Sequence, residues 1–216
     1  MATTVIDMSK NKKYNMTKED GTPIKVVFMG ANWDMNRFSN EANADLDVQL
    51  MKNDSNHRVK YPNDIVNYKT WRDYGASAYP WCQFSGDNTT GNDSDGGNTF
   101  NGKHYDEYFI IDYDKFPDDN SELTLCLTIF RAVQRMQNFG MVSNASIDIY
   151  DYENPTTCWK YNLTDNENFE NLNAVEIGRL FRGANGFRFQ ALGSGYVGGM
   201  TELFKNFGLD IDEGRD

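Results

Sequence analysis

The stretch Asp45-Leu46-Asp47-Val48-Gln49-Leu50 decides the fold. Leu46, Val48 and Leu50 alternate with Asp45, Asp47 and Gln49, the period-two pattern of a strand that buries one face and wets the other. The two aspartates share the wet face and stand about 7 Å apart on an extended backbone, close enough to share or bridge metal ions. Similar strand patterns occur at residues 24–29, 64–68, 107–113, 123–130, 146–152, 158–163, 175–181 and 187–192. Turn-rich segments such as Pro117-Asp118-Asp119-Asn120-Ser121 divide them. Many short strands with few helical patterns predict an all-β fold, an antiparallel β-sandwich.

One short C-terminal helix is expected, because Met200, Leu203, Phe204 and Phe207 fall at helical spacing and Gly208 follows as a stop. Its apolar stripe reads as packing on the sandwich. A further helical turn is placed at residues 132–137. Residues 61–81 carry Tyr61, Tyr68, Trp71, Tyr74, Tyr79 and Trp81. They read as a folded loop covering a sheet end or as a stacking surface for a carbohydrate or nucleotide. No internal repeat is visible, and residues 1–216 are read as a single domain.

A formal charge of −11 repels nucleic acid and anionic membrane surfaces, and favours divalent cations and basic partners. Acidity for solubility alone would produce the same sign. Aromatic content of 14% indicates a folded core. Cys82, Cys126 and Cys158 are too widely spaced for a disulfide framework or zinc ribbon, and only His57 and His104 supply imidazole, which argues against soft-ligand metals. The first seven residues lack the basic and apolar regions of a signal peptide, and no apolar run is long enough to insert directly into a membrane. A cytoplasmic protein is expected.

Residues 85–97, Ser-Gly-Asp-Asn-Thr-Thr-Gly-Asn-Asp-Ser-Asp-Gly-Gly, put short oxygen-bearing side chains on a sharply turning backbone, as a hard cation requires. A solvated acidic loop has the same composition. The loop fails as an EF-hand: Gly91 stands at position one, Gly102 at position twelve, and no helices flank it. Ligands converging from several loops at one end of a sandwich remain open. The candidates are Asp45, Asp47, the loop itself, Asp106 with Glu107, and Asp34 upstream.

Gly193-Ser194-Gly195-Tyr196-Val197-Gly198 matches G-x-G-x-x-G, but no α/β alternation supports a dinucleotide site. These glycines read as a tight strand-to-helix corner. Neither histidine has a nucleophile signature near it, and a paired-carboxylate hydrolase is left as an option open to any acidic chain. The expectation is no enzyme activity.

Gly86-Asp87-Asn88-Thr89-Thr90-Gly91 resembles the Gly-Asp-Asn-x-Thr-Gly signature of the TerD family of tellurite-resistance and calcium-binding stress proteins. Trp33-Asp34 with Asp45-Leu46-Asp47, Gln137-Asn138-Phe139-Gly140 with Asn144-Ala145, and the segment 188–199 ending Gly-Ser-Gly-Tyr-Val-Gly-Gly are similar to three further family motifs in the same order. The resemblance spans nearly the whole chain. It implies a β-sandwich holding up to two adjacent Ca²⁺ ions at one end, in a cytoplasmic, non-enzymatic stress response alongside other proteins such as membrane-associated Ter proteins. By position it implies Asp45, Asp47, Asp87, Asn88, Asp106 and Glu107 as ligands, oxygens near Thr90 and Gly91 completing the shells, and Asp34 in a secondary place. Residues 96–105 depart from the family pattern, and Asp93 and Asp95 either replace ligands there or decorate an insertion. The alternative is a structural or assembly module that keeps the fold with reduced or lost metal binding.

Overall fold

The computed structural model describes residues 3–34, 43–89, 98–119, 121–164, 167–184 and 186–211. Two six-stranded sheets face one another. The first runs in the order β1 (Thr4–Asp7), β12 (Thr157–Asn162), β11 (Ser143–Asp151), β3 (Val26–Asp34), β9 (Glu107–Asp112) and β6 (Cys82–Phe84). The second runs β2 (Lys13–Asn15), β14 (Phe187–Tyr196), β13 (Ala174–Arg182), β10 (Glu122–Ile129), β4 (Leu46–Asn53) and β5 (Ile65–Val66). The expected sandwich is present, and its pairs are antiparallel except β1 with β12, which run parallel. Leu46, Val48 and Leu50 of β4 join Val27, Met29 and Ala31 of β3 in the core between the sheets.

The other face of β4 differs from expectation. Asp47 and Gln49 are buried instead of wet, at 2% and 0% exposure. Two helices cover Gln49, and the Asp47 carboxylate lies within 4.8 Å of that of Glu107. α3 (Gly199–Asn206) lays Met200, Leu203 and Phe204 against Met51 and Cys126 on that outer face, and Gln49 Nε2 approaches Met200 Sδ at 3.8 Å. α1 (Tyr68–Tyr74) begins at its N-cap Asn67, whose side-chain amide donates to Gln49 Oε1 at 2.7 Å. α3 was expected, with Gly208 at φ +82 beyond its end. α1 was not; it lies within the aromatic segment, where residues 64–68 also prove less extended than their pattern suggested. Pro62–Asp64 is a 3-10 turn there, and Tyr68 already belongs to the helix.

Most rings of that segment pack inward. Trp71 stacks on Tyr79 at 5.7 Å, and Trp81 meets Phe116 edge-on at 5.3 Å. Tyr61 and Tyr74 remain exposed. The expected turn at 132–137 is α2 (Ala132–Arg135). The glycine motif is partly inside a strand: β14 continues to Tyr196 with a bulge opposite Glu176 and Gly178. Gly193, at φ +65, sits in that bulge, where a Cβ would strike the Tyr161 hydroxyl. The corner itself falls at Gly198 and Gly199.

Residues 98–105 form a small separate hairpin, β7 (Asn98–Phe100) and β8 (Lys103–Tyr105). It lies on the outer face of the first sheet, with Phe100 stacked on Phe28 at 4.1 Å. Gly30 permits the approach, because a Cβ there would collide with the Tyr105 ring. Among the described residues, no helix is long and apolar enough to cross a membrane.

Candidate metal centre

The first residue of β9, Glu107, fixes one end of the sandwich. β5 pairs with β4 only at Leu50 and Met51, so the Val48 N–H is left to Glu107 Oε2 and donates to it at 2.8 Å. Glu107 Oε1 accepts from the Asn88 N–H at 3.1 Å. One buried carboxylate therefore ties the first sheet to a strand of the second and to the loop after β6. The adjacent Asp106 does comparable work on the other side. Its Oδ2 accepts from the Trp33 N–H at 2.8 Å, and its Oδ1 accepts from Asn88 Nδ2 at 3.1 Å and lies 3.2 Å from His104 Nε2.

Around this frame three acids converge. Asp47 on β4, Asp87 in the loop and Glu107 each offer a carboxylate oxygen, and these oxygens lie within 4.8 Å of one another. Asp47 and Glu107 are buried, while Asp87 closes the group from the exposed side. Burial pushes the Glu107 carboxyl well above its usual range, and the Asp47 charge adds to the rise, against the opposing hydrogen bonds from Val48 and Asn88. Partial desolvation likewise raises Asp87. Asp45 is half-buried just before β4, and its carboxyl is pushed up to about 6 by desolvation and then by Asp87, with Arg135 opposing. Like charges packed out of water favour either protonation or a counter-cation.

The donor set fits a hard divalent cation. It is all oxygen, from carboxylates converging from different strands and a loop, as Ca²⁺ or Mg²⁺ takes and Zn²⁺ does not favour. One further observation points the same way: Asp45 Oδ1 is buried without a hydrogen-bond partner. A buried acceptor left in that state is costly and is relieved by a ligand.

The residues expected from the sequence fall into distinct places. Asp47, Asp87 and Glu107 form the cluster, and Asp45 interacts electrostatically with Asp87 beside it. Asn88 and Asp106 brace the cluster through hydrogen bonds. Asp34 belongs elsewhere: it is exposed, its carboxylate accepts from the Asn144 side chain, and it lines a cavity that shares no residue with the cluster. The alternation of β3 explains the separation, because Trp33 points into the core while Asp34 takes the opposite face. Thr90, Asp93 and Asp95 lie outside the described residues.

Sequence reasoning missed three contributors. His104 reaches Asp106 from the hairpin, Arg135 acts on Asp45 from α2, and the Trp33 backbone N–H holds Asp106. Each depends on contacts between segments distant in sequence or on a backbone group, and so leaves no local pattern.

The fold and this acidic end define a TerD-domain protein. Residues 4–207 match the model of the TerD domain, and the chain belongs to that family. It is 30% identical over 206 residues to general stress protein 16U of Bacillus subtilis (strain 168), covering 95% of this chain and 98% of the relative. It is 29% identical over 206 residues to tellurium resistance protein TerD of Serratia marcescens, covering 95% and 99%. In fold it resembles the crystal structure of a homologue of telluride resistance protein (TerD) from Streptomyces coelicolor A3(2). That match has a TM-score of 0.62 and 15% identity over 87% of this chain and 99% of the other.

Proposed function

We propose that the protein is a calcium-binding, non-enzymatic component of a stress or tellurite response. The observation that carries this reading is the convergence of Asp47, Asp87 and Glu107, whose oxygens lie within 4.8 Å of one another while burial raises two of the three carboxyls. Asp47, Asp87 and Glu107 would hold one Ca²⁺. Asp45, with its buried Oδ1, extends the oxygen set toward a second, adjacent ion. The cation supplies positive charge where acids repel, and so locks the loop after β6 onto the edge of the sandwich. Asn88 and Asp106 hold that loop in register through their mutual hydrogen bond.

The functional setting is carried by the relatives, two of which are named for general stress and tellurium resistance. On this reading the protein acts in the cytoplasm with other proteins, membrane-associated Ter proteins among them, and its calcium-ordered end is the surface they meet. Calorimetric titration of chelator-treated protein with CaCl₂ tests the binding. A saturable heat that disappears in Asp47→Ala and Asp87→Ala supports it; no heat with the unsubstituted protein overturns it.

A further inference from the structure

An opening lies away from the acid cluster, on the outer face of the first sheet. It is a cavity of about 920 Å³. Strand register builds its floor. Ser146 of β11 pairs with Asn32 of β3 on one side and Asn162 of β12 on the other, giving a row of three short polar side chains across three strands. The next row along is Gly30, Asp148 and Lys160. Gly30 contributes no side chain, and the Tyr105 ring of the hairpin occupies the space above it. The hairpin thus becomes one wall, and its Lys103 faces the opening.

Among the described residues, every side chain lining this cavity carries a hydrogen-bonding group, and none is aromatic or aliphatic. Asparagine amides dominate, and each both donates and accepts. The lining charges balance, with Lys103 and Lys160 against Asp34 and Glu167. Behind Ser146 on the same face of β11 stands Asp148, at 2% exposure. Its Oδ2 accepts from Lys103 Nζ at 2.6 Å and from the Tyr105 hydroxyl at 3.0 Å, whereas its Oδ1 is buried without a hydrogen-bond partner.

Lining charges of both signs disfavour a ligand of high net charge, and the lack of aromatic and aliphatic side chains disfavours a greasy one. What remains is a compact molecule dense in groups that donate and accept at once. Hydroxyls on adjacent carbons do so, and amides with carboxylates and lysines are the side chains that pair with them. We propose that this cavity binds a neutral polyhydroxylated molecule of mono- or disaccharide size, with its hydroxyls directed to the floor row of Asn32, Ser146 and Asn162. The site stands independently of the calcium reading, since none of its lining residues belongs to the acid cluster.

Saturation-transfer difference NMR on the full chain, with glucose, trehalose and myo-inositol as separate probes, tests this. At least one probe should receive transfer and be displaced by excess of an unlabelled competitor polyol. Asn162→Leu, which places an apolar branch in the floor row, should abolish the transfer. The milder Thr164→Val should weaken binding about tenfold, the equivalent of one or two lost hydrogen bonds. Equal transfer in chelator and in calcium separates this site from the metal centre. Transfer to none of the three probes overturns the proposal. So does transfer unchanged in both variants, or transfer to glutamine, a zwitterion of similar size, in place of the polyols.

Discussion

Two groups of buried carboxylates lie on opposite sides of the first sheet, and the chain treats them differently. Asp148 is met by its own cation: Lys103 reaches it from the hairpin at 2.6 Å, with the Tyr105 hydroxyl beside it. Glu107 is equally buried, yet the side-chain charges that act on it belong to Asp47 and Asp87, and its hydrogen bonds come from backbone N–H groups. Backbone amides orient a carboxylate and partly offset its charge, but they do not neutralise three acids at once. The first has its counter-charge within the fold; on the proposed reading the second takes it from a bound cation. The hairpin joins them, since Lys103 and Tyr105 face Asp148 while His104 between them reaches Asp106.

Removing the internal cation has the largest expected effect. Lys103→Met leaves Asp148 buried with only Tyr105, and should destabilise the protein by roughly 2–3 kcal/mol in chelator and in calcium alike. Chemical denaturation under both conditions reads this directly, and dependence of the loss on calcium would contradict the division drawn here. Asp47→Asn probes the other side and should reverse sign with conditions. In chelator the variant should match or exceed the unsubstituted protein by about 1 kcal/mol, because like-charge repulsion is relieved. In calcium it should fall below it. Equal destabilisation in both states would mark Asp47 as a purely structural acid.

Asn67→Ala tests the cover over Gln49 and not the acids themselves. Asn67 Oδ1 accepts from the Thr70 N–H at 2.9 Å and caps α1, so its loss should lower stability by about 1 kcal/mol without altering any calcium response. A further expected effect is a pH dependence. In chelator Asp45 titrates near 6 in the folded protein, above its ordinary value of 3.8. A raised folded pKa means that the folded state holds the proton longer. Its contribution is present in acid and is lost as pH rises from about 4 through 6. Relative to Asp45→Asn, the unsubstituted protein should therefore lose stability across that window, and melts at stepped pH on both proteins would show the divergence. Parallel curves would remove Asp45 from the account.

Much of this was legible in the sequence because it rests on period-two burial. β3, β4, β9, β10, β11, β12, β13 and β14 each fall where alternation or apolar runs put a strand. What was hidden depended on a second layer. Nothing local in Asp47-Val48-Gln49-Leu50 announces that α3 and the N-cap of α1 will meet Gln49. α1 itself is only seven residues long, too short to display a stripe. Its one signal was Asn67 three residues before Thr70, with Gly75 at φ +72 after the helix. At the site, adjacency in sequence misled for Asp34 and informed for Asp106 and Glu107. Asp34 follows Trp33 but faces the opposite side of its strand. Asp106 precedes strand β9, so its carboxylate turns to Trp33 and Asn88 and braces the cluster in place of joining it. The β1 pairing escaped because four exposed residues bury too little to leave a pattern.

If a divalent ion completes the Asp47, Asp87 and Glu107 group, thermal unfolding of the full chain in CaCl₂ against chelator will report it. With calcium at about a hundred times its dissociation constant, binding to the folded form alone adds about 2.7 kcal/mol, a rise of roughly 5–10 °C in Tm for a chain of this size. That rise should vanish in Asp87→Ala, which removes the exposed member of the group. A Tm that is the same in calcium and in chelator, across calcium concentrations up to the millimolar range, would contradict the claim.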